Sequence, residues 1–119
     1  MLNNWIAQLT NTKRAAGDLG KVSPKLIAGY QGLAAAQNGA GALDAKTREL
    51  IALAVAVTTR CDGCIASHAN AARQAGVTEA ELADALGTAI ALNAGAAYVY
   101  SVRAMEAFGQ FDPARQPAA

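Results

Sequence analysis

Residues Arg48 to Arg73 read RELIALAVAVTTRCDGCIASHANAAR, and they carry the strongest indication of the fold. Asp44, four residues before this stretch, is a favourable N-cap residue for a helix that is apolar on every side from Leu50 to Val57. Such a pattern is typical of a central, fully enclosed helix. The β-branched residues would also suit a strand, but the flanking DAKTREL and the total length favour a helix. With a turn near Arg60, this helix and the next one are expected to pack as an antiparallel hairpin.

Two helices are predicted before this hairpin. The first covers about Leu2 to Asp18 and ends near Gly17 or Gly20. The second begins at Ser23, a good N-cap residue that is followed by a proline in the first helical position. It ends within NGAGA, residues 38–42.

The rest of the chain also has helical signals. The cysteine-bearing helix is expected to end at Gly76, a typical C′ glycine. Thr78 and Glu81 can form a capping box that opens a fifth helix. NAG, residues 93–95, can break or kink that helix, so that a final one covers about Ala96 to Phe108. The residues predicted to face inward are Leu82, Leu86, Ala89 and Ile90. We therefore predict an all-α, compact bundle of about five to six helices in one domain, residues 1–119.

Composition adds an expectation about assembly. Hydrophobic residues make up 53% of the chain and charged residues only 16%, which is too apolar for a disordered protein. Alanine is frequent, and it favours closely packed helices. Such an excess of small apolar residues in a short chain suggests that copies of the chain bury part of its surface, as a homo-oligomer. The aromatic residues Trp5, Tyr30, Tyr98 and Tyr100 are expected to pack in the core or at that interface.

Charge and patterning exclude several classes of function. The net charge is +1 and no basic run is present, so we expect no nucleic-acid partner. No signal peptide is recognisable at the N-terminus, and the apolar run from Leu50 to Val57 is too short to span a bilayer. We therefore expect a cytoplasmic protein without a membrane partner. In a reducing compartment, two cysteines indicate catalysis or metal binding more than a structural bridge.

Both cysteines and the single histidine lie within eight residues, at Cys61, Cys64 and His68. On a helix that starts near Cys61, the three side chains fall within roughly 60° of one another, and Cys64 and His68 are i, i+4 neighbours. The first turn of a helix favours a thiolate, and histidine can accept a thiol proton. A CxxC pair can also close to a disulfide with little backbone movement. The stretch thus offers a nucleophile, a second thiol and a base.

Glu49 is a fourth candidate, because a charge at the edge of an apolar run is costly to bury without a partner. In an antiparallel hairpin with a rise of about 1.5 Å per residue, His68 lies level with about Leu53, one turn from Glu49. A glutamate side chain and one water can span that gap, whereas a direct contact does not follow from the spacing. Glu49 would hold the imidazole or accept a relayed proton. The alternative is a surface carboxylate that pairs with Lys46 or Arg48.

The pattern E-x11-C-x2-C-x3-H, together with RELIALAVAV before it and HANAARQAGVTEAEL after it, resembles the alkylhydroperoxidase-D-like branch of the carboxymuconolactone decarboxylase superfamily. The likeness is strong over about residues 43–86. It implies an all-α oligomer, commonly a trimer or hexamer. It also implies that Cys64 reacts with a hydroperoxide, that Cys61 resolves the product as a disulfide, and that His68 and Glu49 form a proton relay. An external dithiol, such as a thioredoxin-like or lipoyl reductant, would reset the centre, and no bound cofactor is needed.

One departure from the family pattern and several alternatives remain open. Gly63 stands where the well-studied peroxidase members have a second histidine, so the relay here is shorter. The CxxC pair argues against lactone decarboxylation, but a decarboxylase-type or proton-transfer enzyme could use His68 and Glu49 alone. A non-enzymatic redox sensor is a further alternative. So is a metal-binding scaffold in which Cys61, Cys64 and His68 are three ligands, with Glu49 as a distant fourth. Inert thiols or a merely structural bridge complete the alternatives.

Overall fold

The computed structural model describes residues 2–37 and 41–116, and in those ranges it contains helices and no strand. The elements are α1 (Trp5–Val22), α2 (Pro24–Ala36), α3 (Ala45–Thr59), α4 (Asp62–Gln74), α5 (Glu79–Gln110) and a 3-10 turn, Pro113–Arg115. The predicted all-α fold is confirmed. The second helix is predicted to end within NGAGA, residues 38–42, and residues 38–40 of this segment lie outside the described residues.

The α3–α4 hairpin forms as predicted. Asp44 caps α3 by accepting the N–H of Thr47 at 2.8 Å, and this bonding lowers the pKa of the Asp44 carboxyl. At the other end, Arg60 adopts a left-handed conformation with φ of 55° and ends α3. The extended residue Cys61 follows and caps α4. Two residues thus reverse the chain, and α4 packs along α3.

The first two helices differ from prediction at their junction. α1 continues through Gly17 and Gly20 to Val22, because neither glycine takes the positive φ of a helix-ending residue. Gly20 instead allows a close approach of α2, since a Cβ there would lie 3.2 Å from Cγ1 of Ile27. Ser23 is the N-cap of α2 as predicted, but its side chain makes no capping hydrogen bond.

Helix α5 is continuous through residues 93–95, so the predicted break and separate final helix are wrong. The amide of Asn93 donates to the carbonyl of Ala89 and to Oγ1 of Thr58, both at 2.8 Å. It thereby ties α5 to α3 instead of ending the helix. Gly95 keeps helical geometry, with no atom of another element near its Cα hydrogens.

The predicted capping box at the start of α5 is present, with both hydrogen bonds between Thr78 and Glu81. Glu81 also joins α5 to α3, because its Oε2 lies 2.8 Å from Nζ of Lys46. Lys46 and the capping bonds with Thr78 lower the pKa of Glu81 to about 2. A carboxyl whose pKa is lowered by folding stabilises the folded state at pH values above its ordinary pKa. This stabilisation is lost as the pH falls towards the pKa of the folded state.

Replacing Glu81 by glutamine is therefore expected to lower the melting temperature at pH 6 and to have a diminishing effect below pH 4.5. The gap between the two melting curves should narrow between about pH 4.5 and pH 2, which thermal unfolding followed by circular dichroism would measure. Glu106→Gln, at the other end of α5, is the matched control and should leave the curves nearly superimposed. A gap for Glu81→Gln that stays constant down to pH 2 would contradict this account.

The core of the single chain is small. Leu53, Ala72 and Val77 form its buried centre, with Leu50 and Leu82 packed against them. α3 is not fully enclosed as predicted, since only Leu53 and Ala56 of that helix are buried. Its other sides lie on the chain's surface. The predicted inward position of Ala89 is confirmed, whereas Ile90 is 68% exposed and its predicted position is wrong.

Much apolar surface is left uncovered on the single chain. Its accessible surface is 9348 Å², against about 6,000 Å² expected for a monomeric protein of this mass. The radius of gyration is 20.6 Å, against roughly 13–14 Å for a single domain of this length. The second half of α5 accounts for many of the exposed apolar side chains, including Tyr98, Val99, Val102, Met105 and Phe108.

By length and composition alone, α5 could cross a membrane. It has 32 residues, and the mean hydropathy of its qualifying 18-residue window is 1.3. The core helices of soluble proteins meet the same condition, so the finding is weak by itself. The sequence prediction overlooked this helix because its apolar character is spread over alanines and glycines and does not form one run of large residues.

Candidate active site

Cys61 and Cys64 are joined in a disulfide, with their Cα atoms 5.2 Å apart, a usual separation for this bond. Cys61 is the N-cap of α4, and its Sγ accepts the backbone N–H of Cys64 at 3.1 Å. The N-terminus of a helix favours negative charge. The sulfur of Cys61 is therefore well placed to leave as a thiolate when the disulfide is opened. Cys64 is exposed, whereas Cys61 is half-buried, so an attacking thiolate reaches Cys64 more easily.

His68 and Glu49 are in direct contact, with Nδ1 of His68 2.7 Å from Oε2 of Glu49. The spacing along the two helices leaves room for a bridging water, but the two side chains meet directly. The long glutamate side chain spans the one-turn offset between α3 and α4. A carboxylate accepts, so Nδ1 carries the proton in the neutral ring and Nε2 is left as the basic nitrogen. No hydrogen bond within the described part of the chain engages Nε2.

The site is partly shielded from water by its own helices. The Glu49 side chain is 19% exposed and that of His68 is 39% exposed. His68 is charged only if protonated, in which case the two side chains form an ion pair. All four predicted site residues are thus brought together on the facing sides and connecting turn of one hairpin.

Two cavities meet at His68 and Tyr30. The first, the sulfur cavity, has a volume of about 250 Å³. The second, the carboxylate cavity, lies between α2 and α3 and has a volume of about 420 Å³. The sulfur cavity is lined by Leu9, Thr12, Lys13, Ala16, Tyr30, Cys61, Gly63, Cys64, Ser67 and His68. The carboxylate cavity is lined by Tyr30, Leu33, Ala34, Gln37, Leu43, Arg48, Glu49, Ile51, Ala52 and His68.

Helix α1 supplies a wall of the site that sequence reasoning missed. Thr12 and Lys13 line the sulfur cavity because α1 packs across α4. No local signal in the sequence marks these two residues, since their role depends on how a distant helix crosses the hairpin. Tyr30 was expected in the core or at a subunit interface. It is 66% exposed in the single chain and lines both cavities.

The position of α1 also accounts for Gly63. A Cβ at this residue would lie 3.1 Å from Cγ2 of Thr12, closer than most such contacts allow. A larger side chain there, such as the family's second histidine, would require the Thr12 side chain to shift. Thr12 thus occupies space beside the cysteines that a longer proton relay would need.

Arg48 is engaged elsewhere and does not pair with Glu49. Its guanidinium donates to the carbonyl oxygens of Leu43 and Gln37, at 3.2 and 2.5 Å. Lys46 pairs with Glu81. The alternative reading of Glu49 as a surface carboxylate paired with either cation is therefore wrong.

A metal site finds no support in the arrangement of side chains. Across residues 2–37 and 41–116, no three His, Cys, Asp or Glu side chains are grouped so that they could hold a metal ion. The two sulfurs are bonded to each other, and metal binding requires free thiolates. In this disulfide form, the three-ligand alternative is therefore not available.

Comparison with known proteins gives a consistent result. A sequence model of the Carboxymuconolactone decarboxylase family matches residues 24–107. A Haemophilus influenzae protein is 58% identical over 108 residues, which are 91% of this chain and 96% of that protein. A Cupriavidus necator protein is 34% identical over the same shares of both chains. Neither description names an activity.

A solved structure extends the likeness to three dimensions. The crystal structure of a protein from Legionella pneumophila superimposes with a TM-score of 0.71 and 36% sequence identity. The match covers 90% of this chain and 96% of that one. That structure is described as an apo form of a carboxymuconolactone decarboxylase family protein.

Proposed function

Since the chain belongs to the carboxymuconolactone decarboxylase family, we propose from its site that it is a dithiol oxidoreductase, a thiol-dependent peroxidase or disulfide reductase of antioxidant defence. One observation carries the proposal: a CxxC disulfide opens on the same cavity as a histidine whose Nδ1 is bonded to Glu49 at 2.7 Å. This arrangement pairs a redox couple with a base of fixed tautomer, as thiol chemistry requires.

In the reduced protein, Nε2 of His68 takes the proton of the Cys64 thiol, and Glu49 balances the imidazolium charge. The Cys64 thiolate attacks the terminal oxygen of a hydroperoxide, the O–O bond breaks, and the proton returns from His68 to the departing alkoxide. The products are an alcohol and a sulfenic acid on Cys64. The thiol of Cys61 then condenses with the sulfenic acid, which forms the disulfide and releases water.

A second substrate resets the centre. An external dithiol, such as a thioredoxin-like or lipoyl reductant, gives two electrons to the disulfide and is itself oxidised to a disulfide. We propose that this cycle runs in the cytoplasm, where thiol reductants are abundant. Run with a disulfide in place of the hydroperoxide, the same dithiol chemistry makes the protein a disulfide reductase.

A proton-transfer enzyme is the second candidate, and the carboxylate cavity favours it. Glu49 and His68 both line this cavity, which holds no sulfur among its described lining residues. A substrate bound there could exchange protons with the pair while the disulfide stays intact. Alkylation of both reduced cysteines separates the two candidates, because it abolishes dithiol turnover and leaves a reaction in the carboxylate cavity unaffected.

We also propose that the protein works as a homo-oligomer, a trimer or hexamer. The chain exposes about 3,300 Å² more accessible surface than the size relation gives for a monomer of its mass. This excess is well above the roughly 800 Å² that each partner buries in a standard interface. Much of the exposed apolar surface lies on the second half of α5. A second copy is favoured over lipid as the cover, because Asn93 and Glu81 tie the first half of α5 to α3, so that the helix as a whole is not free to span a membrane.

Light scattering on the eluting protein at micromolar concentration is expected to give three or six times the chain mass of 12.1 kDa. Val102→Asp, on the exposed part of α5, should shift the mass downwards because it would place a charge in the interface. Thr10→Asp, at an exposed position of α1, is the control. A monomeric mass, or recovery of the protein only with lipid vesicles, would overturn the proposal.

A further inference from the structure

In the oxidised form, the described side chains that line the sulfur cavity include basic groups and no acidic group. Its ionisable lining residues other than the bonded cysteines are Lys13, Tyr30 and His68, and none of the described lining residues is acidic. The disulfide carries no charge. A ligand that approaches the sulfurs therefore meets the positive charge of Lys13, whereas the charge of a protonated His68 is balanced by Glu49.

Lys13 is an exposed residue of α1 that lines the sulfur cavity because α1 packs on α4. The preceding residue, Thr12, is the one that lies against Gly63, between the two cysteines. In the described part of the chain, no ion pair engages Lys13, whereas Lys21 of the same helix pairs with Asp18. The acidic residues nearest to the site make no described ion pair with Lys13. Asp62 does not line the cavity, and Glu49 is bonded to the far nitrogen of His68.

We propose that the sulfur cavity selects a small anionic thiol, and that Lys13 is the residue that recognises its carboxylate. This inference rests on the proposed dithiol function and names a small anionic monothiol as a reductant of the same disulfide, beside the external dithiol. A cavity of about 250 Å³ holds roughly eight waters at about 30 Å³ each. It is thus suited to a thiol of a few heavy atoms that carries a carboxylate.

The reduction consumes two thiols and proceeds in two steps. The thiolate of the first attacks Sγ of Cys64, the S–S bond breaks, and Cys61 leaves as a thiolate that accepts the N–H of Cys64. The thiolate of the second attacks the mixed disulfide and releases Cys64 as a thiolate. Two electrons pass to the protein, the two thiols become one disulfide, and their protons end on the protein sulfurs or in water. Lys13 holds the carboxylate during the first attack.

Three thiols of similar size test the charge preference. The oxidised protein is mixed with 3-mercaptopropionate, 2-mercaptoethanol or cysteamine, and the appearance of protein thiols is followed at low ionic strength. Each rate is divided by the thiolate concentration. The ratio of the mercaptopropionate rate to the cysteamine rate is then compared between variants, so that the intrinsic reactivities of the two thiols cancel. In the wild type this ratio should exceed that of a model disulfide by about 3- to 10-fold.

Variants of Lys13 test whether this residue causes the raised ratio. Lys13→Ala should bring the ratio to the model value, Lys13→Glu should invert it, and Lys13→Arg should keep it. Lys21→Ala removes the same charge from a part of α1 outside the cavity and is expected to change nothing. Added salt should lower the wild-type ratio towards that of Lys13→Ala.

Four results would count against the inference in distinguishable ways. A wild-type ratio equal to that of the model disulfide would overturn the anion preference and leave the dithiol function standing. A raised ratio that survives in Lys13→Ala would remove Lys13 from the role. A disulfide that dithiothreitol reduces but none of the three thiols does would overturn the inference and leave the dithiol function standing, whereas a disulfide that dithiothreitol does not reduce either would overturn both.

Discussion

Cys64→Ser is expected to bring hydroperoxide consumption in the presence of excess dithiol down to the background rate of the dithiol alone. Cys64 is the exposed sulfur, and it lies one helical turn before His68. Its loss removes the only thiol that the proposed relay can deprotonate. We expect a fall of about 10³-fold or more, since the nucleophile is essential to every turnover. The measurement is the rate of loss of cumene hydroperoxide at fixed dithiothreitol.

Cys61→Ser is the matched control, because it removes the other sulfur of the same disulfide. The first step should survive in this variant and give one burst of peroxide consumption per chain. The product should be a sulfenic acid on Cys64 that dimedone traps and peptide mass mapping locates. A burst in Cys64→Ser and none in Cys61→Ser would show that the two roles are reversed.

His68→Gln is expected to slow the reaction of reduced Cys64 with peroxide by about 10²-fold at pH 7, the usual range for loss of a general base. Glutamine is similar in size but cannot take the thiol proton. The loss should shrink as the pH is raised, because hydroxide then supplies the thiolate. Single-turnover stopped-flow over pH 6 to 10 would measure both the size and the pH dependence of the effect.

Glu49→Gln tests the other half of the pair. Glu49 does not line the sulfur cavity, and in the proposed mechanism it acts through its bond to His68 as a positioning residue. The amide oxygen can still accept from Nδ1 but carries no charge to support the imidazolium. We expect a loss of about 10-fold and a shift of the pH–rate profile. Glu106→Gln is the control, and a rate that falls without any shift of the profile would indicate a purely structural role.

The parts of this protein that follow from its sequence are those set by local signals. Asp44, the Thr78–Glu81 capping box and Gly76 are cap residues whose effect depends on the neighbouring turn, and all three are found where predicted. The disulfide was likewise within reach of prediction, because CxxC at a helix start brings two sulfurs together whatever the rest of the chain does.

The parts that did not follow depend on distant segments. Asn93 looks like a helix breaker, but Thr58 and Ala89 satisfy its amide and the helix continues. Thr12 and Lys13 became part of the site only because α1 crosses α4. The prediction that α3 is fully enclosed is wrong for the single chain. An apolar pattern shows that the surface of a helix must be covered, but it does not show whether the same chain covers it. Ile51 and Val55, about half exposed, belong to that uncovered surface.

A thiol count in a single turnover tests whether Cys61 and Cys64 reduce a hydroperoxide as a dithiol. The protein, fully reduced and freed of reductant, is mixed with one equivalent of hydroperoxide per chain, and free thiols and peptides are then analysed. We predict the loss of two thiols for each peroxide consumed, the appearance of a Cys61–Cys64 peptide disulfide, and recovery of both thiols with dithiothreitol. Thiols that remain reduced while peroxide persists, or sulfur oxidised without that disulfide, would contradict the account.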